Sequence, residues 1–173
     1  MDSKKRMMFV LDDDYYFITI KLLIVLIQLD CYKKQFVDYK KLAFIIAFMK
    51  ENKDLYLFNK SISEYNNLDI LEKERLVNIY YRGNMDQPII KRILFFLQKK
   101  ELIKLQKNPK YGSVDVSLIK NKNAYEILSS VEMVNDIEKI QCILKSFNRV
   151  KTIKYDTFIE RIFGSSEVSK WVW

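Results

Sequence analysis

The spacing of apolar residues is most informative between residues 86 and 118, where it changes from a helical to a strand period. The stripe at helical spacing consists of Ile90, Ile93, Leu94 and Leu97. It predicts a helix that begins near Gln87 and buries one face. From Leu102 the period falls to two in short segments on either side of an Asn-Pro-Lys-Tyr-Gly turn at 108–112, which predicts a β-hairpin. A helix that leads directly into a hairpin is typical of the end of a winged helix-turn-helix.

Two earlier helices complete that motif in the pattern. Asp38 is positioned to cap a helix over residues 39–51, and the Asp69…Glu72 spacing predicts a capping box that starts a helix over 69–82. The pair Gly83-Asn84 is expected to end this helix and to form the turn before the third helix. Residues 52–68 are less regular and predict a loop or a short helix.

The segment before residue 36 predicts an added N-terminal helix. Residues 1–12 are interpreted as a short arm, and Asp12-Asp13-Asp14 would favour the N-terminus of a helix over 15–29. This helix is apolar nearly all round, so it belongs either to the core or to an interface. Its apolar run, 17–29, is shorter than the ~20 residues of a membrane span. No membrane association is expected.

The segment after the hairpin predicts a helical C-terminal extension. Asn121 would cap a helix over 122–130, a second helix would cover 131–147, and a last one would end at Gly164. The tail contains Trp171 and Trp173, which would either dock on this chain or anchor a partner. The predicted fold class is mainly α (α+β): an arm and apolar helix (1–35), a winged helix-turn-helix (36–130) and a helical extension (131–173), packed as one unit.

The charge of the chain is concentrated on the predicted winged helix. The formal net charge is +8, and residues 82–122 contain ten basic and three acidic residues, which is +7 of that excess. Basic helices and wings suit the phosphates of duplex DNA. The candidate DNA-binding residues are Lys91, Arg92, Lys99, Lys104, Lys107 and Lys110.

The residues that carry catalysis or bind metals are sparse. Histidine is absent and only three glycines occur, so a histidine base and a glycine-rich phosphate loop are excluded. Cys31 and Cys142 are interpreted as free thiols in a reducing cytoplasm. We expect a cytoplasmic protein that is not an enzyme and that has no cofactor, no metal site and no small-molecule substrate.

The third predicted helix distinguishes a DNA reader from a protein adaptor. With its apolar stripe buried, its outward residues are Gln87, Lys91, Phe95 and Gln98, flanked by Arg92, Phe96 and Lys99. The basic residues favour nucleic acid, whereas Phe95 and Phe96 stand where a DNA-reading helix normally has polar side chains. At least one of the two phenyl rings should protrude unless the N-terminal helix covers it. Phe95 and Phe96, with Trp171 and Trp173, are therefore the candidate contacts for a protein partner.

Residues 89–103 (Ile-Ile-Lys-Arg-Ile-Leu-Phe-Phe-Leu-Gln-Lys-Lys-Glu-Leu-Ile) are similar to the helix and following Leu-Ile strand of winged-helix proteins, with Glu101 where many have Gly. The wider layout, with Tyr-Lys-Lys-Leu-Ala-Phe-Ile-Ile at 39–46, resembles the middle component of bacterial ABC-three-component systems. The small accessory subunit of Lamassu-type defence complexes belongs to that family. The resemblance implies a non-catalytic adaptor that bridges an SMC-like or AAA-type ATPase to an effector, often a nuclease, in anti-phage or anti-plasmid defence. The alternative is a winged-helix transcription or replication regulator that binds duplex DNA as a homodimer.

Overall fold

The computed structural model describes residues 3–120 and 133–164, with side chains from Tyr15 onward. The fold is mainly helical with one two-stranded antiparallel sheet, which confirms the predicted α+β class. In chain order the elements are α1 (Ser3–Gln28), α2 (Lys40–Phe48), α3 (Asn52–Glu64), a 3-10 turn (Tyr65–Asn67), α4 (Ile70–Lys99), β1 (Ile103–Asn108), β2 (Ser113–Leu118), α5 (Val134–Ser146) and α6 (Tyr155–Phe163).

Helix α2 is at the centre of the molecule. Every side chain from Leu42 to Met49 is buried, because this short helix has no polar face and other elements surround it. The second half of α1 belongs to the same core, since its side chains from Leu22 to Leu26 are almost completely buried. Tyr16 and Phe17 on the same helix are exposed. For this half of α1, the choice between core and interface is therefore resolved in favour of the core.

Helix α1 begins much earlier than predicted. It starts at Ser3 and not near Tyr15, so the acidic residues 12–14 lie inside the helix and do not cap it. The physical reason is that residues 3–14 contain neither glycine nor proline, so nothing in the chain breaks the helix there.

Helix α4 is continuous from Ile70 to Lys99, so the predicted turn at Gly83-Asn84 and the helix start near Gln87 are wrong. Gly83 is buried against α2, and a Cβ atom at this position would lie 2.5 Å from Cδ1 of Phe44. The glycine therefore permits close helix packing and does not end a helix. Pro88 lies within α4, where it removes one backbone hydrogen bond but leaves the helix unbroken.

The start of α4 and the element after it agree with the sequence pattern. The side chain of Asp69 accepts a hydrogen bond from the Glu72 N–H at 2.8 Å, and Glu72 accepts one from the Asp69 N–H at 2.9 Å, which confirms the capping box. The chain passes from α4 into the predicted hairpin, in which Ile103 pairs with Leu118 and Asn108 with Ser113. Gly112 adopts a φ of +63° at the turn, as its position there requires.

Helix α3 occupies the segment predicted as a loop or short helix. Its Asp54 is completely buried and pairs with Nε of Arg75 at 2.6 Å and with Nη2 of Arg82 at 3.3 Å. These ion pairs compensate the burial of the carboxylate and join α3 to α4. The pattern of α3 did not show this, because a charged residue is ordinarily placed on the outer face.

Three buried or half-buried lysines join the C-terminal segment to the first half of the chain. Lys139 of α5 donates to the carbonyl of Met49 at the end of α2, at 2.9 Å. Lys151, in the turn before α6, donates to the carbonyls of Leu29 and Asp30 just after α1, at 2.7 and 2.8 Å. Lys41 of α2 donates to two carbonyls of that same turn, both at 2.7 Å. The backbone carbonyls at the ends of α1 and α2 thus receive donors from far along the chain.

The predicted C-terminal helices are partly described. α5 lies within the predicted 131–147 segment, and α6 ends at Gly164, whose φ of +78° suits a glycine after a helix. The predicted helix over 122–130 and the tail with Trp171 and Trp173 lie outside the described residues.

Candidate interaction surfaces

The outer side of α4 exposes two adjacent phenyl rings. Phe95 and Phe96 are 50% and 54% exposed, whereas the inward stripe predicted for this helix (Ile90, Ile93, Leu94 and Leu97) is at most 4% exposed. We call Phe95 and Phe96 the phenyl pair, and both of them protrude as the sequence pattern allowed.

The phenyl pair continues an apolar stripe along α4. Met85 is 77% exposed and Tyr81 is 42% exposed, and Pro88 is exposed between them and the phenyl pair. The separations of three, four or seven residues place these side chains on one side of a helix. The outer stripe of α4 (Tyr81, Met85, Pro88, Phe95 and Phe96) is about 20 Å long at 1.5 Å per residue.

Basic side chains surround the phenyl pair. The Lys91 ammonium lies 6.0 Å from the ring centre of Phe95, and that of Lys100 lies 5.6 Å from the ring centre of Phe96. Lys91, Lys100 and the neighbouring Arg92 and Lys99 are exposed. Among the described side chains no carboxylate is within 4.0 Å of any of these four cations. This surface therefore combines an apolar centre with a positively charged rim.

The lysines predicted to contact DNA do not all share one face. Lys104 and Lys107 are both exposed on β1, but they are three residues apart, so they point to opposite sides of the hairpin. Lys91, Arg92 and Lys99 lie on α4 beside the phenyl pair, and Lys110 lies in the hairpin turn. A single flat duplex contact that uses all six residues is not favoured by this arrangement.

Lys110 lies instead at a cleft of about 380 Å³ where the hairpin turn approaches the N-terminal ends of α2 and α6. We call this the wing-tip cleft. Lys40 and Lys154 line it with Lys110, as do the rings of Tyr111 and Tyr155. The sequence pattern gave no signal for this grouping, because Lys40 and Lys154 are distant from Lys110 along the chain and neither is part of a motif.

The hairpin turn is held firmly against the start of α2. The buried carboxylate of Asp115 accepts hydrogen bonds from the Asp38 N–H at 3.0 Å, from Nδ2 of Asn108 at 2.7 Å and from Oγ of Ser113 at 3.1 Å. Asp38 has a φ of +58° and its own carboxylate accepts from the Lys40 N–H at 3.1 Å. Burial raises the pKa of Asp38. The walls of the wing-tip cleft are therefore fixed relative to each other.

Two further buried groups have shifted pKa values. Burial lowers the pKa of Lys41 to about 7, although Asp38 and Asp115 act in the opposite direction. Burial also raises the pKa of the Cys31 thiol to about 12. Cys142 is half-buried, and its sulfur accepts a hydrogen bond from Nδ2 of Asn59 at 3.2 Å. These groups belong to the interior, and none of them lines the wing-tip cleft.

Within residues 3–120 and 133–164, no helix combines the length and apolar character needed to cross a bilayer. Among the side chains that the structure describes, which begin at Tyr15, no group of three or more cysteines, aspartates or glutamates is arranged to hold a metal ion. Comparison with known proteins finds no matching family model, curated protein or solved structure.

Proposed function

We propose that this chain is a non-catalytic adaptor that holds a protein partner on the outer stripe of α4. The observation that carries the proposal is the phenyl pair. A single exposed apolar side chain is ordinary on a protein surface. Two half-exposed phenyl rings at consecutive positions, on the side of α4 that also exposes Met85 and Tyr81, form an apolar surface of the kind that protein interfaces use. The exposed Arg92 lies on the same side, between these two residues and the phenyl pair.

The area involved is large enough to matter for affinity. About half of the ~150–250 Å² of each phenylalanine is open, so a partner that covers both rings would bury about 200 Å² there. At about 25 cal/mol per Å², this corresponds to about 5 kcal/mol before the costs of association. The phenyl pair would thus act as the energetic centre of the interface, and the basic rim would orient a partner with acidic residues.

The wider context of the proposal comes from the family resemblance. The partner would be an SMC-like or AAA-type ATPase, with an effector subunit, in a DNA-associated bacterial defence complex. The proposed winged-helix relationship is supported by the helix that leads directly into the hairpin, whereas the continuous α4 departs from the usual helix-turn-helix.

The test is to exchange both phenyl rings for carboxylates. The tagged wild-type chain and the Phe95→Asp/Phe96→Asp variant are purified from cells that carry the native operon, and copurifying proteins are identified by mass spectrometry. We expect the wild type to retain an ATPase at fixed stoichiometry and the variant to lose it. Tyr56→Asp is the control, because Tyr56 is an aromatic residue that is 62% exposed on a different helix, α3. If the double variant folds and keeps every partner, the outer stripe is not the docking surface.

A DNA-binding regulator is the second candidate, and the exposed basic residues of α4 favour it. A regulator would form a homodimer and shift a palindromic duplex without any other protein, with an affinity that falls steeply as salt rises. The adaptor would bind duplex weakly alone. Gel filtration and a mobility-shift titration of the purified chain separate the two functions.

A further inference from the structure

We propose that the wing-tip cleft binds phosphate groups of a nucleic acid. This inference does not depend on the outer stripe of α4, because the two surfaces use different elements and share no residue. It rests on charge, on the placement of two aromatic rings and on the rigidity of the cleft.

Three ammonium groups converge on the cleft from separate parts of the chain. Lys40 is the first residue of α2, Lys110 lies in the hairpin turn, and Lys154 immediately precedes α6. All three are exposed, and none has a carboxylate within 4.0 Å among the side chains that the structure describes. Their charge is therefore available to a ligand.

Two of these cations lie against the same ring. The ammonium groups of Lys110 and Lys154 are 5.3 and 4.9 Å from the ring centre of Tyr111. The tyrosine attracts each of them, but their like charges repel each other. Lys40 is placed in the same manner, 5.6 Å from the ring centre of Tyr155. A phosphate in the cleft would relieve the repulsion and accept hydrogen bonds from these ammonium groups.

Two carboxylates also line the cleft, and their negative charge limits which anions can bind there. Asp38 is 7% exposed and accepts a hydrogen bond from the Lys40 N–H, and the nearby charge of Lys41 offsets part of its repulsion of an anion. Asp156 is exposed in the first turn of α6 and competes directly. A single weakly charged anion would gain little binding free energy in this cleft, whereas the repeated charges of a nucleic-acid backbone contact several lysines at once.

The cleft has the size and rigidity that such a contact needs. Its volume of about 380 Å³ lies within the ~300–1,000 Å³ of typical small-ligand sites, so it accommodates a phosphate with its sugar. The hydrogen bonds to Asp115 fix the hairpin turn against α2. Little conformational entropy is therefore lost when a ligand enters.

The experiment compares two double variants that change the net charge by the same amount but on different surfaces. Lys110→Glu/Lys154→Glu alters the cleft. Lys34→Glu/Lys145→Glu alters two exposed lysines that neither line the cleft nor belong to the candidate DNA-binding residues. The binding of a fluorescein-labelled short duplex is measured by anisotropy over a range of salt concentrations. We expect the cleft variant to bind at least tenfold more weakly than the control variant and to lower the salt slope by about two. We expect Asp156→Asn to bind more tightly than wild type.

A second probe distinguishes a nucleic acid from a soluble phosphate compound. Inorganic pyrophosphate is titrated into the isotope-labelled chain, and the backbone amides of Gly112 and Ser113 are followed by NMR. If pyrophosphate shifts these amides but the duplex does not bind, the site takes soluble phosphates and the nucleic-acid assignment is overturned. If neither probe binds, or if both double variants weaken the duplex equally, the cleft is not a phosphate site. Circular dichroism of each variant verifies that it is folded.

Discussion

The contact between Gly83 and Phe44 provides a sharp test of how α4 packs on α2. In an exposed helix, replacing glycine by alanine stabilises the protein by about 1 kcal/mol, because alanine loses less backbone entropy. In this structure the new Cβ atom would lie 2.5 Å from Cδ1 and 2.7 Å from Cε1 of Phe44. Ordinary contacts between carbon atoms are ~3.5–4.0 Å long, so the ring or the helix must move by about 1 Å. Whether Gly83→Ala raises or lowers the free energy of unfolding therefore shows how closely α4 packs on α2.

The ring of Phe44 has little freedom to move. It is completely buried, and four aromatic rings surround it with centres 5.6 to 6.2 Å away, namely Tyr80, Tyr155, Phe158 and Phe163. Overpacking of a closed core costs about 1–3 kcal/mol. After the helix-propensity gain of about 1 kcal/mol is subtracted, Gly83→Ala should lower the free energy of unfolding by up to about 2 kcal/mol. In a chain of this length the corresponding fall in Tm is about 2–4 °C per kcal/mol.

Urea unfolding followed by circular dichroism measures the free-energy change. The double variant Gly83→Ala/Phe44→Leu tests its cause, because a smaller side chain at position 44 leaves room for the methyl group. We expect alanine at position 83 to destabilise the wild-type background and to be neutral or stabilising in the Phe44→Leu background. If Gly83→Ala raises the stability of the wild type, or if the two backgrounds respond equally, the close approach of α4 to α2 at this point is refuted.

Two other buried charges lead to measurable effects on stability. Asp54→Asn removes the charged acceptor of Arg75 and Arg82, whose side chains are about a third exposed, and should cost about 2 kcal/mol in urea unfolding. Glu51→Gln, which removes an exposed partner of Arg75, should cost clearly less stability than Asp54→Asn, and equal losses would contradict this reasoning. For Lys41, the pKa is about 7 when folded and about 10.4 when unfolded, so the unfolded chain binds more protons between these values. The free energy of unfolding of the wild type, relative to that of Lys41→Met, should therefore be constant below pH 7 and rise by about 1 kcal/mol per pH unit above it. If this difference does not change from pH 6 to pH 9, the pKa of Lys41 is not lowered by folding.

The periodicity of the sequence correctly predicted the features that depend only on residues close together in the chain. The buried face of α4, the capping box at Asp69, the hairpin and its glycine turn were all predicted correctly, because each depends on neighbours close in the chain. Gly83 was misinterpreted because a helix end and a close helix contact both require the absence of a Cβ atom. Only the position of Phe44 distinguishes the two cases, and that position depends on tertiary packing.

The candidate surfaces were predictable to different degrees. Phe95 and Phe96 are exposed as the helical spacing implied, because the helix buries its opposite face. The buried positions of Lys41 and Lys139 were missed, since a charged residue is assigned to solvent unless its partner is known. The wing-tip cleft was missed for a related reason. Its lysines come from three segments, and only the folded chain brings them together.

The lysine contacts to the ends of α1 and α2 have a consequence for the synthesis of the chain. Helices α1 and α2 end in carbonyls whose donors, Lys151 and Lys139, are translated about 120 and 90 residues later. The growing chain therefore presents these helix ends, and the apolar surface of α2, before the groups that complete them exist. We expect the final fold to form only after translation has passed Lys151.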